Sequence, residues 1–347
     1  MKTRRMMYAA GILVLFTLAA AGCGGGSGTP ASGGNEGTRE ILIGHAFPDN
    51  MAPLGTAYAA MGEYVSEKTG GTLTFTQAAN GSLVDDSNFI DGIMDGVVDM
   101  GHCLVTYAGG VIPEAACLGI PGYFGGSDWL AFCEDVRKPL SDIYAKYDLY
   151  YFGADYQATG TFVSSKKQVV TPADVVGQII RASGTDLANA IELWGGSPTV
   201  MGLGDCATAL ERGTIDAMYT SYTLIGQQHF YELAEYVSTT PICETWGSTV
   251  IRMETYNSLT DEQKKAVDEA ALLYSAQAQD DYQAIKEQYD EDIDEYGASA
   301  YALTPEEALA FTDKCKPLFE TFGQSTNELG LELLKVIYKH NNWEWTF

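Results

Sequence analysis

One arginine stands where this chain could bind a charged ligand. Arg181 directly follows the apolar pair Ile179–Ile180, and a core strand over residues 178–181 would place its guanidinium at the strand's carboxyl end. Open α/β sheets bind ligands at that edge, and the planar guanidinium can grip a carboxylate with two hydrogen bonds. The sequence therefore predicts an anion-binding arginine, with a structural ion pair to Asp205 or Asp216 as the alternative.

Other motifs that could carry chemistry are incomplete. The run Gly202–Ala207 fits the loose dinucleotide fingerprint G-x-G-x-x-A, but the position about 20 residues on is Gln227, not the acid that would hold a ribose. The four histidines show no metal-ligand spacing, and neither G-x-S-x-G nor CxxC occurs. We therefore expect a protein that is not an enzyme and that needs no cofactor or metal.

The elements that must position Arg181 occur twice in the same order. Two helices alternate with three strands in each half of the chain, and each third strand follows a helix-ending glycine, Gly96 or Gly213. The predicted strands are Ile41–His45, Leu73–Gln77, Val97–Met100, Gln178–Arg181, Pro198–Met201 and Thr214–Ala217. Two such βαβαβ units predict two α/β lobes with a cleft between them, where ligands usually sit.

A single long helix follows the second unit. Thr260–Gln263 has the form of a capping box, apolar residues recur every three or four positions to Tyr296, and Gly297 ends the run. At about 1.5 Å per residue this helix is roughly 55 Å long, more than the width of one lobe. It is predicted to lie along both lobes, with coiled-coil pairing as the alternative.

The amino terminus indicates export. Basic residues precede the apolar run Ala9–Ala21, and Gly22–Cys23 resembles a lipoprotein cleavage junction. We predict a signal peptide over 1–22, lipidation of Cys23 and a flexible tether to residue 39, with an uncleaved membrane anchor as the alternative. Loss of the signal removes three positive charges and no negative ones, so the net charge of −26 becomes −29. Such a charge excludes nucleic acid as a partner. The six later cysteines are expected to be buried thiols.

From about Ile41 to its end, the chain resembles the DctP-type solute-binding proteins of TRAP transporters. The resemblance rests on many short stretches in the family's order. These are His45–Pro48, Glu67–Gly71, Asn80–Leu83 with Asp85–Asp86, Gly96–Met100, Thr171–Asp174 leading to Gly177 and Arg181, Gly196–Pro198, Ala209–Leu210 with Gly213 and Asp216, Phe230–Glu232, and Leu259–Gln263.

The resemblance implies a periplasmic binding protein-like α/β fold with two hinged lobes. Lobe I would hold residues 40–157 and 246–287, lobe II residues 158–245 and 288–347, and the helix over about 260–296 would bridge them. It also implies a monomeric, lipid-anchored extracytoplasmic receptor that closes on a small organic acid and delivers it to the small and large TRAP membrane subunits. A receptor that presents its ligand to a membrane sensor, or a secreted enzyme using His45, His102 or Cys103, are the alternatives.

The resemblance also implies the site. Arg181 matches the family's carboxylate-binding arginine, whereas Thr220 replaces an asparagine of many relatives, and Ala46 is one of several positions that are polar or charged in sialate-binding relatives. The predicted ligand-binding residues are Arg181, Phe47, Cys103, Leu104, Tyr107, Tyr156, Thr161, Leu203, Tyr219, Thr220, Tyr222 and Trp246. Their aromatic members predict a monocarboxylate with an apolar or aromatic body, with packing inside the lobes as the alternative.

Overall fold

We describe a computed structural model of the protein over residues 38–85, 88–105, 109–122, 128–240 and 242–347. The predictions for the signal peptide, Cys23 and Tyr107 lie outside these residues. The strands are β1 (Arg39–Gly44), β2 (Leu73–Ala78), β3 (Met100–Leu104), β4 (Leu149–Ser164), β5 (Ile179–Ala182), β6 (Ser197–Val200), β7 (Ala217–Ser221), β8 (Tyr236–Ser238), β9 (Cys243–Arg252) and β10 (Ser299–Tyr301).

Helices cover the faces of these strands. The α-helices are α1 (Leu54–Lys68), α2 (Phe89–Met94), α3 (Trp129–Ala145), α4 (Pro172–Val175), α5 (Thr185–Trp194), α6 (Cys206–Glu211), α7 (Tyr222–Gln227), α8 (Met253–Asn257), α9 (Asp261–Tyr296), α10 (Pro305–Ser325) and α11 (Glu328–His340). Short 3₁₀ turns occupy Pro113–Gly119, Leu203–Asp205 and Phe230–Glu232.

The repeated unit predicted from the sequence is present. In the first lobe β1 lies between β2 and β3, and in the second lobe β5 lies between β6 and β7, with all four pairings parallel. In both units the first strand is therefore central and the next two flank it. The fold is α/β with two lobes, as expected, while the residue boundaries given above for the lobes stay a prediction.

Two long antiparallel strands join the lobes. The β3–β9 pairing ends at Leu104 and Gly247, and the β4–β7 pairing begins at Gly160 and Ser221. Between them β4 and β9 pair with each other. The carboxyl ends of β3 and β7 thus both point at the short stretch of β4 over residues 156–160, where the cleft is expected.

The third strand of each unit begins later than predicted. The predictions Val97–Met100 and Thr214–Ala217 were wrong, because β3 starts at Met100 and β7 at Ala217. After Gly96 and Gly213, both at positive φ, the next amide turns back to the helix: Val97 N–H donates to Gly92 O (2.8 Å) and Thr214 N–H to Ala209 O (2.9 Å). Val97 and Thr214 therefore close the preceding helix instead of extending a strand.

The long helix α9 matches its prediction closely. Thr260 Oγ1 accepts from Gln263 N–H (3.2 Å), Gln263 Oε1 accepts from Thr260 N–H (3.0 Å), and Gly297 ends the helix at φ 87°. In the first lobe its Tyr274 packs 4.9 Å from Tyr58 of α1. In the second lobe its Asp290 accepts a hydrogen bond from Tyr222. The helix therefore braces both lobes.

The cysteines after Cys23 behave as expected. All six are buried thiols outside any disulfide, and burial raises the pKa values of Cys117, Cys133 and Cys315. Among the helices of the described ranges, none combines the length and the apolar character needed to cross a membrane.

Candidate functional site

The crevice of the second lobe opens between two helix layers. Helix α5, which follows β5, packs with its Trp194 against Phe162 and Tyr219 on one face of the sheet. Helix α7, which follows β7, belongs to a separate core with Met218 and Ile225 on the other face. Because β5 and β7 are neighbours that send their helices to opposite faces, a ligand-binding crevice is expected at their carboxyl ends.

Three glycines in the loops at this carboxyl edge adjoin open space. A Cβ added at Gly184, Gly202 or Gly204 would meet no heavy atom within 4 Å. Gly184 joins β5 to α5, and the other two lie between β6 and α6. Open space therefore borders the crevice from both loops.

Arg181 reaches this edge from β5. It pairs in register with Met218 of β7, and residues paired across a sheet share a face, so its side chain lies on the side of α7. The residue is only 6 % exposed, and its Nε donates to Met201 O (3.1 Å), just beyond β6. That carbonyl holds the guanidinium at the open end of the strands.

Of the two acids proposed as structural partners of Arg181, one is paired with another residue and the other is exposed. Asp216 stands at the amino end of β7, where its Oδ1 pairs with Lys166 Nζ (2.9 Å) and its Oδ2 accepts from Ile179 N–H (2.8 Å). Asp205 is exposed in the 3₁₀ turn that precedes α6. The geometry thus favours a ligand-facing arginine over a buried ion pair with either acid.

Several predicted contact residues are bonded within the second lobe. Tyr219 Oη lies 2.7 Å from Cys243 Sγ, and the Tyr222 hydroxyl donates to α9. Thr161 Oγ1 donates to Ser238 O (2.7 Å) and is fully buried, beside Thr220 in the β4–β7 register. These four side chains support the alternative that they pack the lobe.

Two further aromatic residues form a cluster at the crossing between lobes. The rings of Tyr156 and Trp246 lie 5.1 and 6.0 Å from that of Trp129, and both are buried. On β4, Tyr156 is the register partner of Trp246, and Val163 is level with Arg181 through Met218 of β7. These two positions are seven residues apart, which is roughly 23 Å at about 3.3 Å per residue. The predicted aromatic residues therefore do not surround Arg181 as one pocket.

The apolar residues that keep exposed surface are different ones. Phe47, Leu104 and Leu203 are half-buried, while Cys103 of β3 is buried. Phe47 follows β1, Leu104 ends β3, and Leu203 opens the 3₁₀ turn after β6. All three lie at carboxyl ends of strands and so can meet a ligand in the cleft.

The histidines expected near the cleft are fully buried. His102 Nε2 lies 3.2 Å from Asp155 Oδ2, and His45 Nε2 lies 2.8 Å from Gln77 Oε1. Burial lowers the pKa of His45. The His102–Asp155 pair was not predicted, because the two residues are far apart in the chain and no local pattern joins them.

Comparisons with known proteins agree on the family. The model for bacterial extracellular solute-binding protein, family 7 (DctP), matches residues 43–325. A solute-binding protein of Chromohalobacter salexigens is 24% identical over 284 residues, which are 80% of this chain and 83% of that protein.

Solved structures share the fold. A TRAP periplasmic solute-binding protein from Ochrobactrum anthropi, with its C-terminus bound in the ligand-binding pocket, superposes with a TM-score of 0.79 at 21% identity, over 89% of this chain and 96% of that one. Another, from Roseobacter denitrificans with bound β-D-glucuronate, gives 0.73 at 20% identity, over 86% and 99%. Proteins of this kind bind small ligands outside the cytoplasm and work with membrane permease subunits. The chain thus belongs to family 7 of the bacterial extracellular solute-binding proteins and is a TRAP solute-binding protein of the DctP family.

Proposed function

We propose that this protein captures a small organic carboxylate between its lobes and delivers it unchanged to the TRAP small and large membrane subunits. Arg181 carries the proposal, because a nearly buried guanidinium stands at the open carboxyl edge of a sheet. The glucuronate held by the relative from Roseobacter denitrificans supports an acid as the ligand.

The energetics of such a site are sufficient. Each hydrogen bond between a guanidinium and a carboxylate contributes about 1.5–3 kcal/mol. Micromolar affinity corresponds to about −8.2 kcal/mol, so two such bonds and some apolar burial reach that range before ordering costs. Binding and closure then suffice for the function, and the protein is not proposed to be an enzyme.

The body of the ligand is proposed to be apolar or aromatic. Phe47, Leu104 and Leu203 support this, because their half-buried side chains offer apolar surface at the cleft. The proposed receptor acts as a monomer, held outside the cytoplasm by a lipid on Cys23. Mass spectrometry of the mature amino terminus tests the anchor, and recovery of intact ligand after incubation tests the lack of turnover.

Calorimetric titration with a panel of organic acids that includes glucuronate tests the role of Arg181. Arg181→Ala should weaken the binding of any acid found by about two to three orders of magnitude, the loss expected when a bidentate charge pair is broken. Arg212→Ala is the matched control, since Arg212 is an exposed arginine of the same lobe. An unchanged dissociation constant in Arg181→Ala would remove Arg181 from the site.

A further inference from the structure

Helix α5 carries a carboxylate at the end of its core-facing side. Leu187, Ala190, Ile191 and Trp194 are the buried residues of this helix. Asp186 comes four residues before Ala190, so it lies one turn ahead of Ala190 at the border of the buried face. Helical side chains tilt toward the amino terminus, which here is the end nearest the carboxyl edge of β5. The carboxylate of Asp186 therefore lies at the end of α5 that adjoins this edge.

The side chain of Asp186 is stabilised by the amino end of its own helix, not by a partner side chain among the described residues. Asp186 is half-buried, and among the contacts of the described residues its side chain neither accepts a hydrogen bond nor forms an ion pair. Burial alone raises its pKa. Asp174, another first-turn acid, shows the ordinary arrangement: it accepts from Thr171 N–H (2.9 Å) and Thr171 Oγ1 (3.0 Å), and those bonds outweigh burial and lower its pKa.

Arg181 and Asp186 come from elements on opposite faces of the sheet. Arg181 lies on the α7 face of the sheet, in register with Met218, whereas Asp186 comes from α5, which packs on the other face. Gly184, between the two, adjoins open space. A ligand seated over the edge of β5 would thus meet a cation on one side and a carboxylate on the other.

We propose that the ligand carries a cationic nitrogen beside its carboxylate, with Arg181 holding the carboxylate and Asp186 holding the nitrogen. This proposal rests on the function proposed above and narrows its ligand class to zwitterionic amino or imino acids with an apolar body. The charge of the chain agrees: a net charge of −26 repels anions at long range, but a ligand without net charge approaches unopposed.

Matched pairs of acids that differ by the amino nitrogen test the proposal. Phenylalanine with 3-phenylpropionate, leucine with 4-methylpentanoate, and proline with cyclopentanecarboxylate are titrated calorimetrically into the wild-type protein, Asp186→Asn and Glu192→Gln. Glu192 is an exposed acid of the same helix, so its variant controls for the loss of one charge. Circular dichroism and urea unfolding verify that each variant is folded.

We expect at least one amino acid to bind about 10–100-fold more tightly than its nitrogen-free partner, the range of one charge-assisted hydrogen bond. Asp186→Asn should abolish that preference, with little change for the nitrogen-free acid, and Glu192→Gln should keep it. Equal binding of both partners, or a preference that survives in Asp186→Asn, overturns the proposal.

Failure of this inference can be told apart from failure of the proposed function. If none of the six probes binds while glucuronate binds through Arg181, the zwitterion is excluded and the carboxylate receptor stands. If no acid of either panel binds, or if Arg181→Ala changes nothing, both proposals fall.

Discussion

At the scale of single residues, Gly247 permits a contact that a side chain would block. The side chain of His102 on β3 extends across β9 to contact Asp155 on β4. It passes directly above Gly247, which is the register partner of Asp155 on β9. A Cβ at residue 247 would overlap His102 Nε2 and lie 2.9 Å from Asp155 Oδ1. The buried pair thus ties three strands together where the first lobe meets the crossing.

Gly247→Ala should lower the free energy of unfolding by about 1–3 kcal/mol, because overpacking forces the buried His102–Asp155 pair apart. Urea denaturation measures the loss. Gly202→Ala is the control, since a Cβ there meets no atom within 4 Å. Equal losses in the two variants would contradict the argument.

The residue scale also shows what local sequence can and cannot predict. The position of Arg181 in a strand was predictable because an apolar pair followed by a charge indicates the end of a core strand, and its contact with a ligand stays a prediction. Asp186 was not among the predicted site residues, although it precedes Ala190 by one helical turn. The His102–Asp155 contact needs the strand order β3–β9–β4, which no local pattern contains.

At the scale of elements, Glu114 ties three segments of the chain together. It lies in the 3₁₀ turn Pro113–Gly119 and accepts hydrogen bonds from Lys146 and Tyr147, just after α3, and from Asn327, just before α11. Burial by itself raises the pKa of Glu114, but these bonds outweigh burial and lower it to about 2. The ionised carboxylate is therefore favoured by folding.

Glu114→Gln should lower the free energy of unfolding at pH 7 by on the order of 2 kcal/mol. Because the folded pKa is depressed, this contribution is present above the unfolded pKa of 4.5 and is lost as the pH falls toward about 2. Urea unfolding across this range should show the variant and wild type converging. Glu134→Gln, an exposed acid of α3, should show no such trend.

Local sequence could predict some of the helices and strands and not others. The capping residues predicted the ends of α9 to within one residue, because Thr260, Gln263 and Gly297 act locally. In the long strands β4 and β9, local sequence indicates a strand only over Tyr150–Phe152 and Val250–Arg252. Glycines and polar residues interrupt the apolar pattern of β4, and its bulges shift the register.

At the scale of the whole molecule, two continuous strands and one helix connect the lobes. β4 leaves the first lobe, β9 returns to it, and α9 packs on both. The repeated βαβαβ order predicted two lobes correctly. How they join was not predictable, since it depends on pairing between residues about ninety positions apart.

Closure on a ligand should stabilise and compact the protein. A ligand at 100 times its dissociation constant raises the free energy of unfolding by about 2.7 kcal/mol, and small-angle X-ray scattering should show a smaller radius of gyration. At the same ligand concentration, Arg181→Ala should show neither effect. Tight binding without any change in scattering would contradict lobe closure.

The path of the chain through β4 and β9 also bears on how new specificities arise. Everything between Ser164 and Cys243, including Arg181 and Asp186, is entered along one strand and left along its antiparallel neighbour. That segment begins and ends at neighbouring points of the sheet, so its exchange between related receptors would transfer both proposed polar ligand contacts together. The recipient would keep its own bracing helix, and would have to accommodate the donor's packing against α10, where Trp194 meets Phe311.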